Sequence, residues 1–139
     1  MPLLARLYIK TALFYFAAAL AMAAMIALQP VLGLSSDIAV FRPVYLHLLV
    51  VGWITQLIIG VVFWMFPKFS KERPRGSERL AWAVYFLLNA GLAIRAFAEP
   101  LHSLRPELQA GWLLVLSAIL QFAAAWGFIA NTWGRVKER

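Results

Sequence analysis

Four long apolar runs dominate this chain and leave few folds open to it. They extend from about Tyr8 to Val31, Pro43 to Phe66, Leu80 to Ala98 and Leu108 to Trp133. A helix that crosses a bilayer needs about 20 mostly apolar residues, and each run supplies that length. Runs this long and apolar predict spanning helices. Prolines 30, 67, 100 and 106 stand at or near the edges of the runs, where a residue without an N–H donor is tolerated. The expectation is a single all-α domain over residues 1–139, an integral membrane bundle of four transmembrane helices.

Composition agrees and removes several functions. Only 14% of the 139 residues are charged, against roughly a quarter in a soluble domain. There are no cysteines, which excludes disulfides, thiolate metal sites and cysteine nucleophiles. The first run is too long for the apolar part of a cleavable signal peptide and lacks a clear small-residue cleavage site, so none is expected.

The net charge of +7 would suit nucleic acid if it were spread over one soluble surface. Its distribution argues for topology instead, and no nucleic-acid partner is expected. Ten of the thirteen Lys and Arg residues fall on one side of the predicted spans: Arg6, Lys10, Lys68, Lys71, Arg73, Arg75, Arg79, Arg135, Lys137 and Arg139. Arg42 and Arg105 fall on the other, and Arg95 lies within the third run. Positive charge accumulates in cytoplasmic loops, so both termini and the middle loop are expected in the cytoplasm of a prokaryotic inner membrane, N-in and C-in. Trp64, Trp82 and Trp133 near one set of ends, and Tyr45 and Trp112 near the other, suit the two headgroup regions.

Within this frame the unusual residue is His47, an imidazole in an otherwise apolar span. Ionisable groups at membrane depth are costly, and each is a functional-site candidate by default. At helical spacing His47 shares a face with Val44, Val51, Ile54 and Ile58. That face has no carboxylate, so it does not suit a zinc or calcium cage. It would suit either an ordinary helix contact, with the imidazole bonded to a backbone carbonyl, or the flat body of a bound macrocycle. Arg95 has two similar alternatives. It can pair with Glu99 four residues on or snorkel outward; or, with Arg42 or Arg105, it can bind an anion such as a porphyrin propionate. His102, expected in the second outer loop, Glu99–Pro106, gathers with Arg42, Arg95 and Arg105 toward the outer face. Gly52, Gln56 and Gly60 recur every four residues and read as a helix-packing seam, with Asn89, Gly91, Ser117 and Gln121 as candidate partners.

Arg42-Pro43-x-x-x-His47, followed by Gly52-Trp53, Gly60 and Pro67, resembles the second transmembrane helix of subunit I of the haem-copper oxidase superfamily. The cbb3-type oxidase and nitric oxide reductase branches are the nearest. The resemblance covers about 25 residues. It implies that His47 ligates a haem b iron as the metal ligand, with propionates directed outward toward arginines such as Arg42 and Arg95. The superfamily's full enzymes have about twelve spans and six ligating histidines, whereas this chain has four spans and one intramembrane histidine. Autonomous oxygen reduction is therefore not expected, nor is a catalytic residue. The second axial position would come from His47 of a second copy, from His102, or from Met25 or Met22; a five-coordinate iron open to a gas is a further option. The favoured expectation is a small b-type cytochrome-like homodimer acting in electron transfer or gas sensing. The alternatives are a structural subunit of a respiratory complex and a quinone-binding module addressed by His47 and Arg95.

Overall fold

The computed structural model describes residues 1–71 and 74–136. Most of these residues are helical, with a non-helical link between Met65 and Glu78 and no strand among the described residues. Four helices are long and apolar enough to cross a membrane: Leu3–Leu32, Ser36–Met65, Glu78–Leu104 and Gly111–Arg135, the first to fourth spans. Arg73, Lys137 and Arg139, three of the charges used to orient the bundle, lie outside the described residues.

The first span is rich in alanine, the best helix former. It begins at Leu3, five residues before the apolar run, so Arg6 sits on the helix itself. It ends where Gly33 adopts a left-handed conformation, φ +62°, and gives its N–H to the Gln29 carbonyl, a common way to close a helix. The third span begins at a proper cap, with the Ser77 side chain accepting from the Leu80 N–H at 3.3 Å. It does not stop at Glu99-Pro100, as the apolar run does. Pro100 is buried inside the helix, which continues to Leu104. His102 is consequently on the last turn of a helix and not in a loop.

The second span is wound unevenly. A 3-10 turn, Ser36–Phe41, leads into α-helix Arg42–His47, then π-helix Leu48–Thr55, then α-helix Gln56–Met65. In the wider π segment the Thr55 hydroxyl donates to the Val50 carbonyl, five residues back, at 2.9 Å. Such segments are rare and concentrate at functional sites. Each residue of a π-helix advances less than the 100° of an α-helix, so side chains beyond His47 fall out of the α register.

The first span packs on the second, and the third on the fourth. Glycines set the closeness of the first pair. A Cβ on Gly60 would lie 2.7 Å from Tyr8 Cβ, and one on Gly52 2.8 Å from Tyr15 Cγ. The glycine seam thus exists, but it faces the first span. The expected polar partners are engaged elsewhere: Ser117 donates to the Gly91 carbonyl at 2.7 Å and accepts from Gln121 at 2.9 Å, joining the third and fourth spans. Tyr8 ties the hairpins together. It is 1% exposed, its ring meets Tyr85 edge-on at 5.0 Å, and its hydroxyl donates to the Ala81 carbonyl at 3.3 Å. One turn away, the Thr11 and Tyr85 hydroxyls bond at 2.8 Å. Gln56, on the same stripe as the two glycines, is completely buried with neither amide atom bonded to the described protein.

The end of the bundle that carries the termini is closed by Arg135. The charge pattern of the sequence makes this residue a topology-setting surface charge, yet it is 1% exposed. Its guanidinium donates to the carbonyls of Phe66 at 2.9 Å, Pro67 at 3.1 Å and Phe63 at 3.3 Å. Those carbonyls lie where the second span stops: Phe66 turns extended, with ψ 152°, before Pro67. A cation placed over a helix C-terminus satisfies the last carbonyls and the negative end of the dipole. Around it, Asn131 accepts from the Ser77 N–H at 2.8 Å, and Gly134 lies against the Phe69 ring. The outer surface of the bundle is apolar: Phe14, Phe97, Phe122 and Trp126 are all more than half exposed, as suits helices facing lipid.

Candidate functional site

His47 lies near the end of the bundle opposite the termini, on the last turn of the short α-helix just before the π segment. Its position follows from local chemistry. Pro43 opens this helix, and its carbonyl sits one turn before the imidazole. His47 Nδ1 is 3.0 Å from the Pro43 oxygen. A carbonyl only accepts, so Nδ1 carries a proton, and in the neutral imidazole Nε2 keeps its lone pair. A bond from one ring nitrogen to a carbonyl fixes which nitrogen is left for a ligand, and metal-bound histidines make this type of bond.

The ring is half-buried beside a hollow of about 240 Å³ lined by Leu46, His47, Val50 and Val51. All four belong to the second span, so the hollow opens on the flank of the bundle. Val51 also lines a larger groove of about 340 Å³, where Thr55 and Ile58 face Leu88 of the third span and Gln121 and Phe128 of the fourth. The two recesses therefore adjoin along one flank.

The smooth face expected at α spacing is interrupted. Val44 turns inward, 2% exposed, against Ala19 and Leu48. Ile54 and Ile58 point outward, 42% and 53% exposed. The π segment causes part of this offset, and no hydropathy pattern signals it.

The other candidate residues are dispersed. Arg42 opens on a third hollow, together with Tyr45, Leu46 and three residues of the first span. Arg95 is held by Glu99 in a two-bond fork, Nε to Oε2 at 3.0 Å and the terminal nitrogen to Oε1 at 3.4 Å. Met25 is 53% exposed on the first span, and neither it nor Met22 lines the hollow beside His47. His102 rests over Gly111, where a Cβ would lie 3.6 Å from the imidazole Cε1. Among the described residues no three His, Cys, Asp or Glu side chains gather as a metal cage. Sequence reasoning missed the roles of Thr55 and Arg135. Neither residue type is unusual at its position, so only packing could reveal them.

The chain matches no protein-family model, no curated protein and no solved structure.

Proposed function

We propose that this chain is a small haem-binding protein of the prokaryotic inner membrane, oriented with both termini in the cytoplasm, in which His47 is the axial ligand. The observation that supports the reading is the 3.0 Å pairing of His47 Nδ1 with the Pro43 carbonyl. In the neutral ring it leaves Nε2 as an electron-pair donor at membrane depth, where an unpartnered imidazole is costly.

The residues present fit one side of a haem. Leu46, Val50 and Val51 offer apolar surface around the ring, and Pro43 holds its tautomer. They do not supply a second axial ligand from the same chain, since Met25 and His102 do not line this hollow. The hollow is built from one span and opens outward, so a second copy related by a two-fold axis is the natural source of the opposite face. A haem bound there would supply one-electron transfer or gas binding, tuned by axial ligand and burial. The chain's own part is to hold the imidazole, fix its proton on Nδ1 and exclude water.

The visible spectrum of the purified protein, supplied with haem in detergent, tests this. A Soret band is expected from the wild type, and His47→Ala should abolish it while the helix content stays unchanged. A Soret band of full intensity in His47→Ala would defeat the assignment. The groove next to the hollow supports a second reading, a quinone-binding module, because Thr55 and Gln121 bring polar groups to an otherwise apolar recess. Quinone affinity in a colourless protein, lost on Gln121→Leu, would favour it. A colourless protein without quinone affinity that copurifies with a respiratory complex would be a structural subunit.

A further inference from the structure

At the end opposite the termini, the first and second spans part. Ala23, Ile26 and Ala27 face Arg42, Tyr45 and Leu46 across a hollow of about 370 Å³. The two alanines leave the space, and its walls are apolar apart from one guanidinium and one phenol. Arg42 is exposed and forms no ion pair among the described residues. No described acid pairs with it. Asp37 accepts from the Ser35 hydroxyl at 3.0 Å, Glu99 holds Arg95, and Glu107 lies 3.7 Å from Arg105.

Depth identifies the occupant. Arg42 is 23 residues from Met65 at the other end of the second span, or at most roughly 35 Å, the full α-helical rise, since the π segment rises less per residue. A hydrocarbon core is about 30 Å thick. With Met65 at one interface, the guanidinium stands at the headgroup level of the opposite leaflet, and the alanine-lined recess lies beside it. An unpaired cation at that level, next to an apolar slot, complements an amphiphile with a negative head and a hydrocarbon tail. The geometry points to a binding site for an anionic phospholipid, its phosphate on Arg42 and Tyr45 and part of one acyl chain against Ala23 and Ala27. This site stands apart from the haem proposal, because Arg42 and His47 line different hollows and share only Leu46 as a wall.

Native mass spectrometry of the full chain, exchanged with palmitoyl-oleoyl phosphatidylglycerol or the matching phosphatidylcholine, tests it. The wild type should retain the anionic lipid about fivefold better, the preference that one interfacial cation supplies. Arg42→Gln should remove the preference, and Arg42→Lys should keep most of it. Ala27→Leu, which fills the slot and keeps the charge, should reduce retention of both lipids. Circular dichroism checks that each variant remains helical, and Ala27→Leu and Arg42→Lys decide the matter if Arg42→Gln unfolds. Equal retention of the two lipids by the wild type would overturn the proposal. So would an unchanged preference in Arg42→Gln, full retention in Ala27→Leu, or displacement of the lipid by millimolar inorganic phosphate, which would identify a soluble anion as the ligand.

Discussion

Replacing Arg135 with methionine should be among the most damaging substitutions outside the helix seams. The side chain is 1% exposed and donates to three main-chain carbonyls, at 2.9, 3.1 and 3.3 Å. Buried charged groups can often be exchanged for apolar ones at little cost, provided that both partners are replaced. Here the acceptors are backbone and remain. Phe66 and Pro67 have already left the helix, so no later turn of the span serves their carbonyls. A hydrogen bond to a charged group contributes about 1.5–3 kcal/mol net. Counting only the two shorter contacts at the low end gives a loss of about 3 kcal/mol. That is roughly a hundredfold in the folded-to-unfolded ratio. Lysine keeps the charge but not the planar fork, and Arg135→Lys should lose about half as much. Denaturant titration in mixed micelles, followed by tryptophan fluorescence and extrapolated linearly, measures both values. A methionine variant within about 0.5 kcal/mol of wild type would show that these carbonyls are served by solvent and that Arg135 does not hold the end of the second span.

The same titration checks three further expectations. Gly60→Ala and Gly52→Ala should each cost about 1–3 kcal/mol through overpacking on Tyr8 and Tyr15, whereas Gly111→Ala, whose nearest neighbour lies at 3.6 Å, should be tolerated; equal costs at all three would refute the seam. Gln56→Leu removes two buried unpartnered polar atoms and should stabilise the fold by about 1–2 kcal/mol; a loss of stability would mean that the amide is bonded in the folded protein. Ser117→Ala breaks the 2.7 Å bond to the Gly91 carbonyl and should cost about 0.6–1.7 kcal/mol, the range for polar contacts between membrane helices; no measurable change would assign the hairpin's stability to packing alone.

The four helices were legible because the bilayer requirement is written in contiguous hydropathy. Their ends were less so. The first span extends back past Arg6, and the third runs through Pro100, because a helix is continued by hydrogen bonding and packing and not by hydropathy. A proline near a helix end forfeits a bond that tertiary contacts can offset, as the burial of Pro100 shows. His47 stood out in the sequence as an ionisable group among apolar ones. The Arg95–Glu99 pairing was also readable, from its four-residue spacing. The π segment was not readable, since Leu48–Thr55 has an ordinary apolar composition. Side chains within and beyond it leave the α register, although Val51 still shares the hollow beside His47.

What the amino-acid order determined by itself is local: which stretches are apolar enough to cross a bilayer, where the charges fall along the chain, and that one imidazole lies among aliphatic neighbours. Tertiary structure decided the rest. Tyr8 and Tyr15, not the polar residues of the third and fourth spans, occupy the glycine seam; Arg135 closes the second span and not the surface; Arg42 and His47 line separate hollows. Hydropathy is a property of each segment taken alone, whereas a contact between spans depends on rotation about each helix axis. That rotation is set by how side chains from distant parts of the chain interlock.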